Sequence, residues 1–106
     1  MQERDYSYPL MPGSDVDILH IKFRKNRGKI EHFVIQYVTL IGGEHHEIIR
    51  FDTCHDYAHK HTFHGKSDEF IVDLTGLGDE LNEVYTQSLE YIKTNFPKIK
   101  QNYLST

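Results

Sequence analysis

Four of the eight histidines in this chain, His55, His59, His61 and His64, fall within ten residues of one another, directly after Arg50-Phe51-Asp52-Thr53-Cys54. Imidazole titrates near neutral pH and is the commonest metal-ligating side chain, so proton transfer and metal binding are the chemistries to test here. The first reading is metal-independent cleavage of RNA. That reaction needs a base for the ribose 2′-hydroxyl proton, an acid for the departing oxygen and a cation for the charge on the phosphorane. Two of His55, His59 and His61 would serve as base and acid, Arg50 would bind the phosphate, and Asp52 or Asp56 would orient an imidazole. Tyr57 would stack on a base or donate a proton. The second reading is a metal site. His59 and His61 would point the same way from a strand, with His55 reaching from the preceding loop and Asp52 adding an oxygen, a donor set used by zinc and related divalent metals. The cofactor expectation is therefore none, or a divalent metal such as zinc.

Each assignment has a plainer counterpart. Arg50 and Asp52, at positions i and i+2, suit an ion pair along one strand face, Tyr57 suits packing, and His64 beside Gly65 suits a turn. The adjacent His45 and His46 must point to opposite faces of a strand and do not form one site. The histidine spacing matches no zinc finger, and the helical His-Glu-x-x-His arrangement is lacking. With a single cysteine, Cys54, no internal disulfide forms, and core packing is its expected role.

The formal charge of −4 argues against a strongly basic nucleic-acid binder, but Lys22, Arg24, Lys25, Arg27 and Lys29 lie within eight residues. Gathered on one surface they would neutralise several phosphates of an RNA partner, with an affinity that falls as salt rises. The alternative is a solvated turn. Because eight histidines outweigh four negative charges once protonated, binding to polyanions should strengthen in mild acid.

Length and composition suit one domain with one core: 106 residues, 38% of them hydrophobic, and three prolines. Residues 1–16 mix aromatic and turn-forming residues without a period and read as an arm preceding a single domain over residues 17–106. Leu19, Ile21 and Phe23 alternate with His20, Lys22 and Arg24, the signature of a half-buried strand. After a turn at Asn26-Arg27-Gly28, residues 30–41 are rich in Ile, Val, Phe, Tyr and Thr, and Gly42-Gly43 predicts a tight hairpin into a third strand, Glu44 to Asp52. Uninterrupted pairing from that hairpin would place Phe33, Ile35 and Tyr37 on the face of His46, Ile48, Arg50 and Asp52. His59, His61 and Phe63 alternate as one face of a fourth strand. Asp79 fits a helix N-cap, and Leu81, Val84, Tyr85, Ser88, Leu89, Ile92 and Phe96 form a stripe at helical spacing, with Pro97 a point where the helix ends or kinks.

The expected fold is α+β, an antiparallel sheet of about four strands packed on a C-terminal helix. One helix covers one sheet face, so apolar residues on the other favour the arm or a homodimer partner as cover. No apolar run approaches the roughly 20 residues that span a bilayer, and Met-Gln-Glu-Arg-Asp is unlike a signal peptide, so a cytoplasmic protein without membrane contact is expected.

With Arg50-Phe51-Asp52 followed by His55, His59 and His61, the chain resembles small prokaryotic proteins that carry an Arg-x-Asp-x-x-His segment after a strand hairpin. It is also similar to the TumE-type toxins of toxin–antitoxin systems, in which Arg-x-Asp precedes a histidine-rich stretch and a carboxy-terminal helix. The likeness spans Ile30 to Tyr103 in order of elements, and its specific part is Arg50 to His61. It implies a cytoplasmic growth inhibitor acting on RNA and bound by an antitoxin protein.

Overall fold

Alternating apolar residues build the centre of the molecule. The computed structural model describes residues 2–53, 59–64, 68–73 and 81–105, with 59–64 and 68–73 described as backbone. Four strands follow the alternation seen in the sequence: β2 (Asp17–Asn26), β3 (Lys29–Ile41), β4 (Glu44–Asp52) and β5 (His59–His64). They are flanked by β1 (Gln2–Pro9) and β6 (Asp68–Asp73), so that six strands run in sequence order through one antiparallel sheet. One helix, α1 (Leu81–Leu104), packs on it. The protein is thus α+β, with an antiparallel sheet on a C-terminal helix, and the four anticipated strands gain one more at each edge. The added strand at the β2 edge comes from the arm, which pairs from Gln2 opposite Lys25 to Pro9 opposite Ile18. Pro9 sits where a proline fits a sheet, at an edge where no donor is missed.

Both hairpin turns around β3 use left-handed backbone. Arg27 and Gly28 have φ of 55° and 79°, and Gly42 and Gly43 have 59° and 84°. Two successive residues with positive φ make the turn whose twist matches that of the strands it joins, which is why the Gly-Gly pair sets the β3–β4 hairpin. Pairing starts at Ile41 opposite Glu44, as the sequence implies.

The register then shifts. Val38 pairs with Glu47, but Tyr37 pairs with Ile49, leaving Ile48 as an extra residue in β4. A bulge of this kind places two residues of one strand against one of the other. Ile48 and Ile49 both join the core, each 1% exposed. The faces beyond the bulge are therefore the reverse of those drawn by uninterrupted pairing: Phe33, Ile35 and Tyr37 share the helix side with Ile49 and Phe51, whereas Arg50 and Asp52 lie opposite Gln36 and Val34 on the other side. The physical reason is burial. Without the bulge two charged residues would enter the core and Ile49 and Phe51 would leave it.

Leu19, Ile21, Phe33, Ile35, Tyr37, Ile49 and Phe51 pack beneath Val84, Ile92 and Ile99 of α1. The helix runs through Pro97 without a break. Lys93, whose carbonyl would have accepted a bond from residue 97, lies on the exposed side, where water can replace it. Asp79, the expected N-cap, lies outside the described residues.

Polar contacts clamp α1 to the sheet along its length. Near its start, Asn82 Oδ1 accepts from the Ile30 amide at 2.7 Å and its Nδ2 donates to the Gly28 carbonyl at 3.1 Å. Near its end, His46 Nδ1 and the Tyr103 hydroxyl are 3.0 Å apart. Between these, Asp17 accepts from the Tyr37 hydroxyl at 2.7 Å and the Thr39 hydroxyl at 2.8 Å, and Lys100 Nζ lies 3.3 Å away. Burial alone would raise the Asp17 carboxyl, but the two hydroxyls and the Lys100 charge outweigh it and hold the carboxyl below its ordinary value. Burial and the same carboxylate push the Tyr37 phenol upward. Among the described residues no helix is long and apolar enough to cross a membrane.

Candidate active site

The sheet face turned away from α1 carries the polar residues. In β4, Arg50 Nε donates to Asp52 Oδ2 at 2.7 Å and Nη1 donates to Glu47 Oε1 at 2.8 Å, so the guanidinium bridges two carboxylates of its own strand. Gln36 Nε2, across from Arg50 in β3, donates to Glu47 Oε2. Asp52 is only 3% exposed, and its charge-assisted bond to Arg50 offsets part of the cost of burying a polar group. The ion pair along the strand that the i, i+2 spacing suggests is therefore present, and Arg50 is half-buried rather than extended into solvent.

β5 continues this arrangement across the sheet. Asp52 is paired with His59 and Arg50 with His61. Directly opposed residues in an antiparallel ladder share a face, and their Cβ atoms lie about 4.5–5.5 Å apart. Two neighbouring rungs thus bring together four candidate residues, Arg50, Asp52, His59 and His61. One strand further, Asp73 of β6 is opposite His59 and Ile71 is opposite His61. His64 closes β5 opposite Asp68 and is a strand residue, not a turn residue; it is out of phase with His59 and His61. His55, Asp56, Tyr57 and Cys54 lie outside the described residues. Among the residues whose side chains are described, which leaves out β5 and β6, no group of three or more His, Cys, Asp or Glu is placed to hold a metal ion.

The basic run divides between surfaces. Lys22 and Arg24 lie on the face of Arg50, in the rows through Val34 and His32. Lys25 alternates to the other side, where its Nζ sits 5.2 Å from the centre of the Phe23 ring. Arg27 is in the β2–β3 turn, and Lys29 is opposite Asn26 where β3 begins. By strand alternation Asn26 shares the face of Lys22 and Arg24, and with it Lys29 opposite, so three of the five cations lie on the candidate face. Lys22 and Arg24 border a shallow cleft of about 540 Å³ lined by Glu3, Arg4, Asp5, Lys22, Phe23, Arg24 and His32. In it Asp5 is opposite Lys22 and Glu3 opposite Arg24, so that acids from β1 offset part of the positive charge.

The chain belongs to the DUF7718 family, a domain of unknown function. The family model matches residues 1–106, the whole chain described above. No curated protein and no solved structure matches it.

What this DUF7718 face offers chemically is a set of nitrogen bases beside carboxylates, with the Arg50 guanidinium in the neighbouring rung. Gln36, Glu47, His32 and Asp73 were not marked by the sequence. Gln36 and Glu47 follow from Arg50 only when the bulge at Ile48 is known, since uninterrupted pairing puts Glu47 on the face opposite to Arg50. His32 is half-buried, with Nδ1 2.7 Å from the Thr53 hydroxyl, and that hydroxyl also accepts from the Phe33 amide at 3.1 Å. It ties the end of β4 to β3 next to the Asp52 rung. His45 and His46 separate as expected, with His46 reaching Tyr103 of the helix and His45 exposed.

Proposed function

We propose that this protein is a small RNA-cleaving enzyme of toxin type, using His59 and His61 for proton transfer and Arg50 for the phosphate. The observation that supports the reading is the pair of rungs Asp52/His59 and Arg50/His61, which sets on neighbouring rungs the residue types that a base, an acid, an orienting carboxylate and a cation would need. Lys22 and Arg24 on the same face supply backbone contacts to a bound strand. In the reaction the 2′-oxygen attacks phosphorus as one imidazole takes its proton. The bond to the 5′-oxygen breaks, and the other histidine, starting as imidazolium, protonates that oxygen. The products are a 2′,3′-cyclic phosphate and a 5′-hydroxyl. His55 and Tyr57 keep their proposed parts as proton carrier and base-stacking ring, and an antitoxin protein is the proposed partner.

A second reading follows from the same ladder. Asp52, His59 and Asp73 occupy one row with His61 beside it, a set of nitrogen and oxygen donors suited to a divalent metal such as zinc, with His55 a further ligand.

Cleavage of purified RNA by wild type and by a His59→Ala, His61→Ala double variant, each with and without EDTA, separates the two. Cleavage by wild type alone, indifferent to EDTA and leaving cyclic phosphate ends, is the expected result. Loss in EDTA with recovery on adding zinc moves the site to metal chemistry. Equal behaviour of wild type and the double variant rules out both for this substrate.

A further inference from the structure

The outer side of β1 is an open edge of the sheet. Among the described residues no strand lies beyond it, and every residue of β1 except Tyr8 is exposed. The Leu10 amide donates to the Asp17 carbonyl at 2.8 Å, which fixes the backbone groups of β1 that β2 already uses. By alternation Arg4, Tyr6 and Tyr8 turn theirs to β2, whereas Glu3, Asp5 and Ser7 turn an amide and a carbonyl outward, and Pro9 a carbonyl alone. Such a row of donors and acceptors is a template for a further strand. On the helix side the same edge carries Arg4, Tyr6 and Tyr8, opposite Phe23, Ile21 and Leu19. The helix sits mainly over β3, and Tyr6 stays 44% exposed with its ring stacked on that of Tyr8 at 6.2 Å.

We infer that β1 pairs with β1 of a second copy of this chain, antiparallel, about a two-fold axis through Tyr6. An axis of this kind, perpendicular to the sheet, sets one residue opposite itself, and charge decides which one. Centring on Glu3, Arg4 or Asp5 opposes like charges, which is destabilising. Centring on Ser7 leaves fewer rungs within the strand. With Tyr6 at the axis, Arg4 falls opposite Tyr8 of the other copy, a cation beside a ring, and Asp5 falls opposite Ser7, whose hydroxyl can donate to the carboxylate. The backbone fits the same register. Asp5 and Ser7 exchange both bonds of their rung, and the Glu3 amide donates to the Pro9 carbonyl, the proline having no amide to leave unmatched. Because one patch serves both copies, the assembly closes as a dimer. Both helices then lie on one side of a continuous sheet and both candidate polar faces on the other. The inference does not depend on the RNA-cleaving reading.

Sedimentation equilibrium of the wild type from micromolar to millimolar concentration should show monomer and dimer with no larger species. Ser7→Lys, which faces Asp5 of the other copy with a cation, should tighten the dimer, and Ser7→Asp should weaken it, each by roughly 2–30-fold over the two symmetric rungs. Amide exchange followed by NMR in the wild type needs no variant to fold. As concentration rises, the amides of Glu3, Asp5 and Ser7 should exchange more slowly, and those of Arg4, Tyr6 and Tyr8, already bonded to β2, should not change. A monomer at every concentration, growth into polymers, weakening by both variants, any other order of the two, or unmoved Glu3, Asp5 and Ser7 amides overturns the inference.

Discussion

Among the residues whose side chains are described, two carboxylates of this sheet are buried, Asp17 and Asp52, and their surroundings differ in kind. Asp17 lies on the helix side, ringed by the hydroxyls of Tyr37 and Thr39 with Lys100 of α1 closing over it. Asp52 lies on the opposite side, bonded to Arg50 and in a row with His59. The first cluster has spent its neighbours on joining helix to sheet. Its carboxyl is held below its ordinary value and its phenol is pushed above its own, both away from neutral pH. The second is held by ionic bonds within its own strand, and the residue opposite it in β5 is a histidine, the side-chain type whose ordinary value lies nearest neutral pH. Burial of a charge is thus common to both and diagnostic of neither; what separates a structural carboxylate from a candidate site is whether the adjoining groups can exchange protons.

Deleting Ile48 should have the largest effect on stability while leaving the two faces as they are. Without it Glu47 and Ile49 are adjacent, Arg50 stays opposite Gln36 and Asp52 opposite Val34, and losing one buried isoleucine from the core should cost roughly 2–5 kcal/mol. Ile48→Val, which keeps the bulge, should cost roughly 1 kcal/mol. Urea denaturation followed by circular dichroism compares the two.

Asp17→Asn tests the structural cluster alone. It should lose roughly 2–3 kcal/mol by weakening the bonds to Tyr37, Thr39 and Lys100, with the activity of the folded protein unchanged. Because the folded Asp17 carboxyl is held below its ordinary 3.8, its contribution is present above that value and is lost as pH falls through the lower folded value. The wild type should therefore lose stability over this acid range more steeply than Asp17→Asn, as read from denaturation midpoints between pH 5 and 2.

The smallest effect on stability, within about 0.5 kcal/mol, belongs to Lys22→Glu with Arg24→Glu. Their effect should be on RNA binding, where the dependence of log affinity on log salt should flatten by about two phosphate contacts. Lys25→Glu, on the other face, should leave that slope alone. Equal slopes for all three proteins would place RNA elsewhere.

How far the residues alone disclosed this arrangement depends on how local the determinant is. The β3–β4 hairpin was readable because two adjacent glycines both adopt positive φ without cost, and its first pairs follow directly. The helix stripe was readable from Leu81 to Phe96, but not its passage through Pro97, which depends on which side of the helix meets water. The reversal of faces beyond Ile48 was not readable: Ile48 and Ile49 are chemically identical, and only the packing of both beneath α1 makes one of them supernumerary. The basic run was visible as composition, yet strand alternation separates Lys25 from Lys22 and Arg24. Asp73 was not marked as a neighbour of His59, because the sequence between β5 and β6 has no two-residue glycine turn of the kind that sets the β3–β4 register.

The sequential order of the six strands also bears on how the chain assembles. Each strand pairs with the one made just before it, so the sheet can grow hairpin by hairpin without closing a long loop. The helix comes after all of them in the chain. Its docking contacts reach back as far as Asn82 to Gly28 and Lys100 to Asp17. During synthesis, therefore, the polar face is complete while Leu19, Ile21, Phe33 and Ile35 still wait for their cover, and that interval is when the nascent chain is most exposed to aggregation or to capture by a chaperone.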